Sequence, residues 1–215
     1  MESEKTSPVY LRADYDDLMH FVSYSYQSRL ILESGVREVL EVGVGSHTLS
    51  DYLRRRGVRV LTCDADPQVG ADVVGDIRKL PFEDGQFESA AAFEVLEHLV
   101  WEDVPQALQE LHRVSRRYVF LSVPYIAPYF EAVFRFPFVR KLTGKPYLDC
   151  FIRLPFGGFR RCSPSHQWEL GLAGYSLKRF RNRLACCFRI ERQVRPVLHP
   201  LHHFFVLSRR ETASR

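Results

Sequence analysis

The stretch Val39–Ser46, V-L-E-V-G-V-G-S, restricts this chain more than any other. An apolar run ends in an acid, and a glycine turn then opens toward Leu49, Tyr52 and Leu53. That order predicts a strand, a tight turn and a helix, the first unit of an open parallel α/β sheet. Gly43 and Gly45 carry no Cβ, so the backbone there can approach a ligand closely. A dinucleotide fingerprint needs G-x-G-x-x-G, and here the third position is Thr48. Glu41, just before the turn, would repel a pyrophosphate and attract an ammonium. The turn therefore suits a nucleoside carrying an amine better than one carrying phosphates. The plainer reading of this motif alone is a doubly wound domain with a tight turn and no such ligand.

The rest of the chain extends the same pattern. Its 215 residues suit one domain with a substantial core, spanning 1–215. An N-terminal segment, 1–34, reads as loose to Pro8 and helical from Tyr10 to Glu33, with Gly35 as a stop. Glu38–Val42 is the first strand and Ser46–Arg56 the first helix. Val58–Cys63 is a second strand running into Asp64, 21 residues after Gly43. An acid at that strand end is where this architecture hydrogen-bonds a ribose, with Asp66 a rival better read as a turn former before Pro67. Asp72–Val74, Phe87–Phe93 and Tyr118–Val123 read as further strands, with a helix from Trp101 to Val114. Ser176–Leu184 (helix), Cys186–Val194 and Phe204–Leu207 (strands) complete the series.

Composition bounds what such a domain can be. Five cysteines with no C-x-x-C pair predict a reduced, cytoplasmic setting without a zinc site or disulfide framework. The acids look scattered, so no metal is expected. The polar start, M-E-S-E-K-T-S-P, resembles neither a signal nor a transit peptide. No apolar run reaches membrane-spanning length. The formal charge of +4 permits an anionic partner without demanding one.

E-V-G-V-G, the acid at Asp64, G-D-I-R-K-L-P-F and F-E-V-L-E-H-L occur in order within residues 38–123. In that register the chain resembles the class I S-adenosylmethionine (SAM) dependent methyltransferases, in the group that includes quinone and small-molecule methylating enzymes. The resemblance implies a Rossmann-like α/β fold, a seven-stranded mostly parallel sheet in the order 3-2-1-4-5-7-6 with the last strand antiparallel. It implies SAM as cofactor and S-adenosylhomocysteine (SAH) as product. Glu41, Gly43, Gly45, Ser46, Asp64, Ala65, Asp76, Ile77 and Glu94 are then the cofactor-binding candidates, with Asp76 on the adenine amino group and Ile77 on the ring. The patterns H-x-W-E at His166–Glu169 and P-x-H-x-F-F at Pro200–Phe205 resemble a branch of this superfamily.

Between the fifth strand and the tail lies an insertion, 125–162, rich in aromatic and basic residues. Most of these read as the small core and solvated face of a lid. Its sharper readings are a pocket for an apolar acceptor with an anionic group, or a surface resting on anionic lipid. Nucleic acid is disfavoured, because no RNA-binding motif accompanies the basic residues. Tyr125, Arg153, Arg160, Arg161, Trp168, His202 and His203 are the acceptor-binding candidates. For each histidine, packing or the start of a strand is the blander explanation. Methyl transfer needs in-line positioning, exclusion of water and, for a hydroxyl or ammonium acceptor, a base. His166 is the first candidate, then Glu97 and His98. The reading is a methyltransferase acting on an O or N atom of a small-molecule or lipid-like acceptor. The alternatives are a nucleic-acid methyltransferase and a binding module that holds SAM without turnover.

Overall fold

Every residue of the strand β1 (Glu38–Val42) after Glu38 is buried, because a central parallel strand is covered on both faces; Val39, Leu40 and Val42 suit that cover, and Glu41 is the exception. The computed structural model describes residues 15–154 and 163–210. In it β1 lies between β2 (Arg59–Asp64) and β4 (Phe87–Phe93), with β3 (Val73–Val74) outside β2. Beyond β4 come β5 (Ser115–Pro124), then β9 (His202–Arg209) and β8 (Phe188–Val194). Leaving out a separate hairpin, this is the expected order 3-2-1-4-5-7-6, and the last strand runs antiparallel to both its neighbours.

Alternate residues of each strand serve opposite layers. Val39, Ala91, Phe120 and Phe204 pack under α1 (Leu18–Glu33) and α2 (Thr48–Arg55), with Leu30, Ile31, Leu49 and Leu53. Leu40, Ala90, Ala92, Leu121 and Phe205 face α3 (Val104–Val114) and a C-terminal helix (Leu177–Leu184). The Ala90–Ala92 centre of β4 is wholly buried.

Element ends depart from expectation for local reasons. Helix α1 begins at Leu18, because the Asp17 carboxylate accepts the His20 N–H and caps it there. The expected start near Tyr10 falls outside the described residues. The Trp101–Asp103 stretch is a 3-10 turn, and α3 proper begins at Val104 with Pro105 in its first turn. Strand β9 starts at His202, two residues early, because pairing with Pro124 and Val123 extends the ladder.

After β5 the chain forms β6 (Tyr129–Phe134), α4 (Val139–Thr143) and β7 (Leu148–Arg153), an antiparallel hairpin outside the main sheet. One face is tied to the domain by Arg195, which reaches Glu131 at 2.5 Å and Asp149 at 2.8 Å. The other carries the cross-strand pairs Phe130–Ile152, Ala132–Cys150 and Phe134–Leu148. Phe130 and Ile152 are more than half exposed. Arg160 and Arg161 lie outside the described residues. The C-terminal helix, here α5, is capped by Ser176, whose hydroxyl accepts the Arg179 N–H.

Candidate functional site

The carboxyl ends of β1, β2 and β4 meet at one edge of the sheet, where ligands bind in open α/β folds. The turn after β1 needs its glycines: Gly43 and Gly45 have φ of +81° and +56°. A Cβ on Gly43 would lie 2.3 Å from Val95 Cγ2, so this turn packs directly against the turn after β4. Asp64 ends β2 and locks that geometry. Its Oδ2 accepts the Val44 N–H at 2.8 Å and its Oδ1 the Asp66 N–H at 2.9 Å. Each oxygen keeps a lone pair for a ligand hydroxyl. Asp66 caps the Pro67–Val69 turn by accepting the Gln68 N–H. Ala65 is exposed beside Asp64.

Glu41 lies beneath the turn, 4% exposed, rather than beside it as an open carboxylate. Burial pushes its carboxyl up to about 8, although Arg54 and Ser50 pull it down. Its Oε2 has no partner among the described residues. Such an orphan fits a ligand ammonium better than an empty turn does. Ser46 belongs to a network unforeseen from the sequence: its hydroxyl and those of Tyr24 and Thr48 all donate to the Asp16 carboxylate at 2.8 to 3.1 Å. Asp16 thus ties the lead-in of α1 to the glycine turn. At the third strand end Arg78 holds Asp76, lowering its carboxyl by hydrogen bonding, and also reaches Asp103. Ile77 is buried behind it.

The turn after β4 carries the densest polar group. Glu94 has φ of +53°, and its N–H donates to the Ser122 hydroxyl at 3.1 Å. Its Oε2 is 3.3 Å from His202 Nε2. Glu97 is fully buried, and its carboxyl faces that of Glu94 with no N–H or hydroxyl donor from the described residues. Burial, then the adjacent Glu94 carboxylate, push its carboxyl well above the usual range. Backbone ties bring a distant segment onto this turn. The Gln167 N–H donates to the Glu97 carbonyl at 2.7 Å, and His98 Nδ1 donates to the Ser165 carbonyl at 3.0 Å. The His98 and His166 rings therefore meet edge to face, 5.0 Å between centroids. His166 Nδ1 lies 2.7 Å from Glu169 Oε1, inside hydrogen-bond range.

The acceptor candidates divide. His202 and His203 point to opposite faces of β9, so they do not act as a pair. His202 joins Glu94, Ser23 and the unforeseen His199, whose ring is 4.0 Å away. Burial lowers both imidazoles to about 4. His203 is buried against Tyr125, and the Arg153 guanidinium lies 3.4 Å above that tyrosine ring. Arg153 also donates to the Pro200 carbonyl at 3.3 Å. Trp168 is not available to an acceptor. It is fully buried, packed edge-on against Trp101 at 4.7 Å and against Phe180 at 5.6 Å. The H-x-W-E pattern thus combines one core residue with a paired His and Glu.

Residues 40–122 match the family model described as a methyltransferase domain. No curated protein matches the chain. Among solved structures, a protein from Pyrococcus horikoshii OT3 is similar at a TM-score of 0.63 and 14% identity, over 98% of this chain and 99% of that one. Magnesium protoporphyrin IX methyltransferase from Synechocystis PCC 6803, with bound SAH, gives 0.59 and 16% over 90% and 84%. An N-methyltransferase from Bradyrhizobium japonicum WM9, in complex with SAH, gives 0.61 and 13% over 94% and 95%. At these identities the structures speak for the fold.

Proposed function

We propose, from the methyltransferase-domain match over residues 40–122, that the chain is a class I SAM-dependent methyltransferase, moving a methyl group from SAM to an O or N atom of a small-molecule or lipid-like acceptor. The observation that carries this reading is the sheet edge itself. A glycine turn, an acid with free lone pairs at Asp64, a second acid at Asp76 and a lone-pair-rich cluster after β4 stand side by side. SAM supplies an electrophilic methyl on a sulfonium. Asp64 would hold the ribose hydroxyls, the Asp76–Ile77 step the adenine, and Glu41 with the Gly43–Ser46 turn the amino-acid end.

The chain's remaining task is to place the acceptor in line and take its proton. His166 is suited to that. A carboxylate can only accept, so Glu169 holds the Nδ1 proton and the Nε2 lone pair stays open. Calorimetry with the full chain tests the proposal: SAM and SAH should each bind one to one. Methyl transfer from labelled SAM into a cell extract then separates an enzyme from a module that only holds SAM. Transfer that disappears on nuclease treatment would favour a nucleic-acid acceptor instead.

The hairpin supports the lipid-like end of the acceptor range. Its outward face is apolar from Phe130–Ile152 to Phe134–Leu148, and α4 adds the exposed Leu142 beside Arg140 and Lys141. An exposed apolar face flanked by cations matches an anionic bilayer surface. No helix among the described residues is long and apolar enough to cross a membrane. Phe130→Ser with Phe134→Ser should weaken sedimentation with phosphatidylglycerol vesicles. Equal sedimentation of variant and parent would remove the membrane reading.

A further inference from the structure

Glu97, His98 and His166 each offer one ligand-capable atom, and these atoms lie within 4.8 Å of one another. The sequence hides this, because His166 stands far along the chain from Glu97-His98. From these residues we infer a divalent-cation site at the carboxyl end of β4, of the two-imidazole, one-carboxylate kind.

Three independent features point to a ligand there. First, Glu97 is fully buried and receives no N–H or hydroxyl donor from the described residues; the one polar side chain facing it is the carboxyl of Glu94, so two acids crowd together with no cation between them. A buried acceptor in that condition is costly unless something outside the chain satisfies it. Second, both imidazoles are oriented through Nδ1. His98 Nδ1 donates to the Ser165 carbonyl and His166 Nδ1 to the Glu169 carboxylate. Each ring then keeps its Nε2 lone pair, and a carboxylate behind a histidine is the usual outer support of a metal ligand. Third, the geometry is fixed by the backbone, since the Gln167 N–H is bound to the Glu97 carbonyl. Glu94 adds a further carboxylate on the same turn, with Oε1 buried and unpartnered among the described residues.

The donor set selects the ion. Two imidazoles and one carboxylate suit a borderline ion of the manganese-to-zinc series better than magnesium or calcium. His98 is exposed, so the site has an entry path, and three protein ligands leave coordination positions for an outside oxygen. Val95, on the same turn, packs against Gly43, so the cation site adjoins the glycine turn of the proposed cofactor site. A role in methyl transfer rests on the methyltransferase reading; the site itself does not. With the cation bound, His166 Nε2 is a ligand and no longer a free base, so an acceptor hydroxyl on the cation would lose its proton to water instead. Its oxygen would form the new C–O bond as the C–S bond breaks, the sulfur would keep the electron pair, and the cation would keep its charge. The acceptor class is therefore one with a hydroxyl or carboxylate oxygen able to bind a metal.

Cobalt(II) titration of the purified full chain, followed by visible absorption, tests the site without reference to activity. One equivalent should bind, with His–carboxylate ligand-field bands. His98→Ala and His166→Ala should abolish stoichiometric uptake, and the exposed position of His98 makes the first a mild change to the fold. Glu169→Gln should keep the stoichiometry and weaken affinity about 10- to 100-fold. His112→Ala, on α3, should bind like the parent. Failure of the parent to take up one equivalent of cobalt, manganese or zinc would overturn the site, as would parent-like binding by both histidine variants. If cobalt binds but SAM does not, the site stands and the methyl-transfer role falls. If transfer proceeds at an unchanged rate after chelation, the cation is not the acceptor's activator.

Discussion

Replacing Gly43 by alanine perturbs the point where the two key turns touch. The cost has two parts. At φ of +81° an L-residue occupies the left-handed region, which costs about 1–2 kcal/mol. The new Cβ would also stand 2.3 Å from Val95 Cγ2. Valine is stiff about χ1, so the contact is relieved by moving backbone, and overpacking of this kind costs about 1–3 kcal/mol. Gly43→Ala should therefore destabilise the chain by about 2–5 kcal/mol, lowering Tm by roughly 4–20 °C for a domain of this size. Gly35→Ala is the internal control. Its φ is +72°, but a Cβ there would meet nothing within 4 Å, so only the backbone part applies. Adding Val95→Ala to Gly43→Ala should recover the packing part, giving a favourable coupling of about 1–3 kcal/mol. Urea unfolding of Gly43→Ala, Gly35→Ala, Val95→Ala and the Gly43→Ala, Val95→Ala double variant measures all of this. Equal losses for Gly43→Ala and Gly35→Ala, with no coupling to Val95, would refute the contact between the turns.

Three further outcomes are expected. Glu41 titrates near 8 in the folded chain against an ordinary 4.5, so its contribution to stability is whole below 4.5 and is lost as pH rises through 8. Glu41→Gln should remove that loss, up to roughly 4–5 kcal/mol, in unfolding experiments at pH 5 and pH 9, and should weaken SAM binding at both. His203 is lowered to about 4 by burial and then by Arg153 and Arg181, so its contribution is present above 6.5 and lost as pH falls toward 4. His203→Gln should reduce acid destabilisation over that window by up to about 3 kcal/mol in urea melts, and an unchanged pH slope would contradict this. Replacing residues 126–160 by a short Gly-Ser linker should leave SAM affinity nearly intact in calorimetry and abolish turnover; lost affinity would make the hairpin part of the cofactor site or the core.

The parts of this account legible in the sequence are those that local chemistry dictates. A turn at Gly43 and Gly45 must be glycine because its φ values are positive, and an apolar β1 must be a covered strand. An acid before Pro67 reads as a cap because its side chain reaches the backbone two residues on. What stayed hidden depends on contacts between distant segments. His166 meets His98 only because the Ser165–Gln167 backbone is bonded to the turn after β4. Trp168 looked like a pocket residue because nothing in its neighbours reveals that Trp101 and Phe180 enclose it. Asp16 had no signal, since its hydroxyl donors lie on other elements, and the amphipathic hairpin is set by the pairing register and by Arg195.

On the proposed reading, this sheet edge binds SAM through Asp64 and the glycine turn. Calorimetric titration of SAH into the parent chain and into Asp64→Asn tests it directly. One site is expected in the parent and an affinity lower by about 1–3 kcal/mol in the variant, the usual worth of a hydrogen bond to a charged group. No binding by the folded parent, or an equal affinity in the variant, would contradict it.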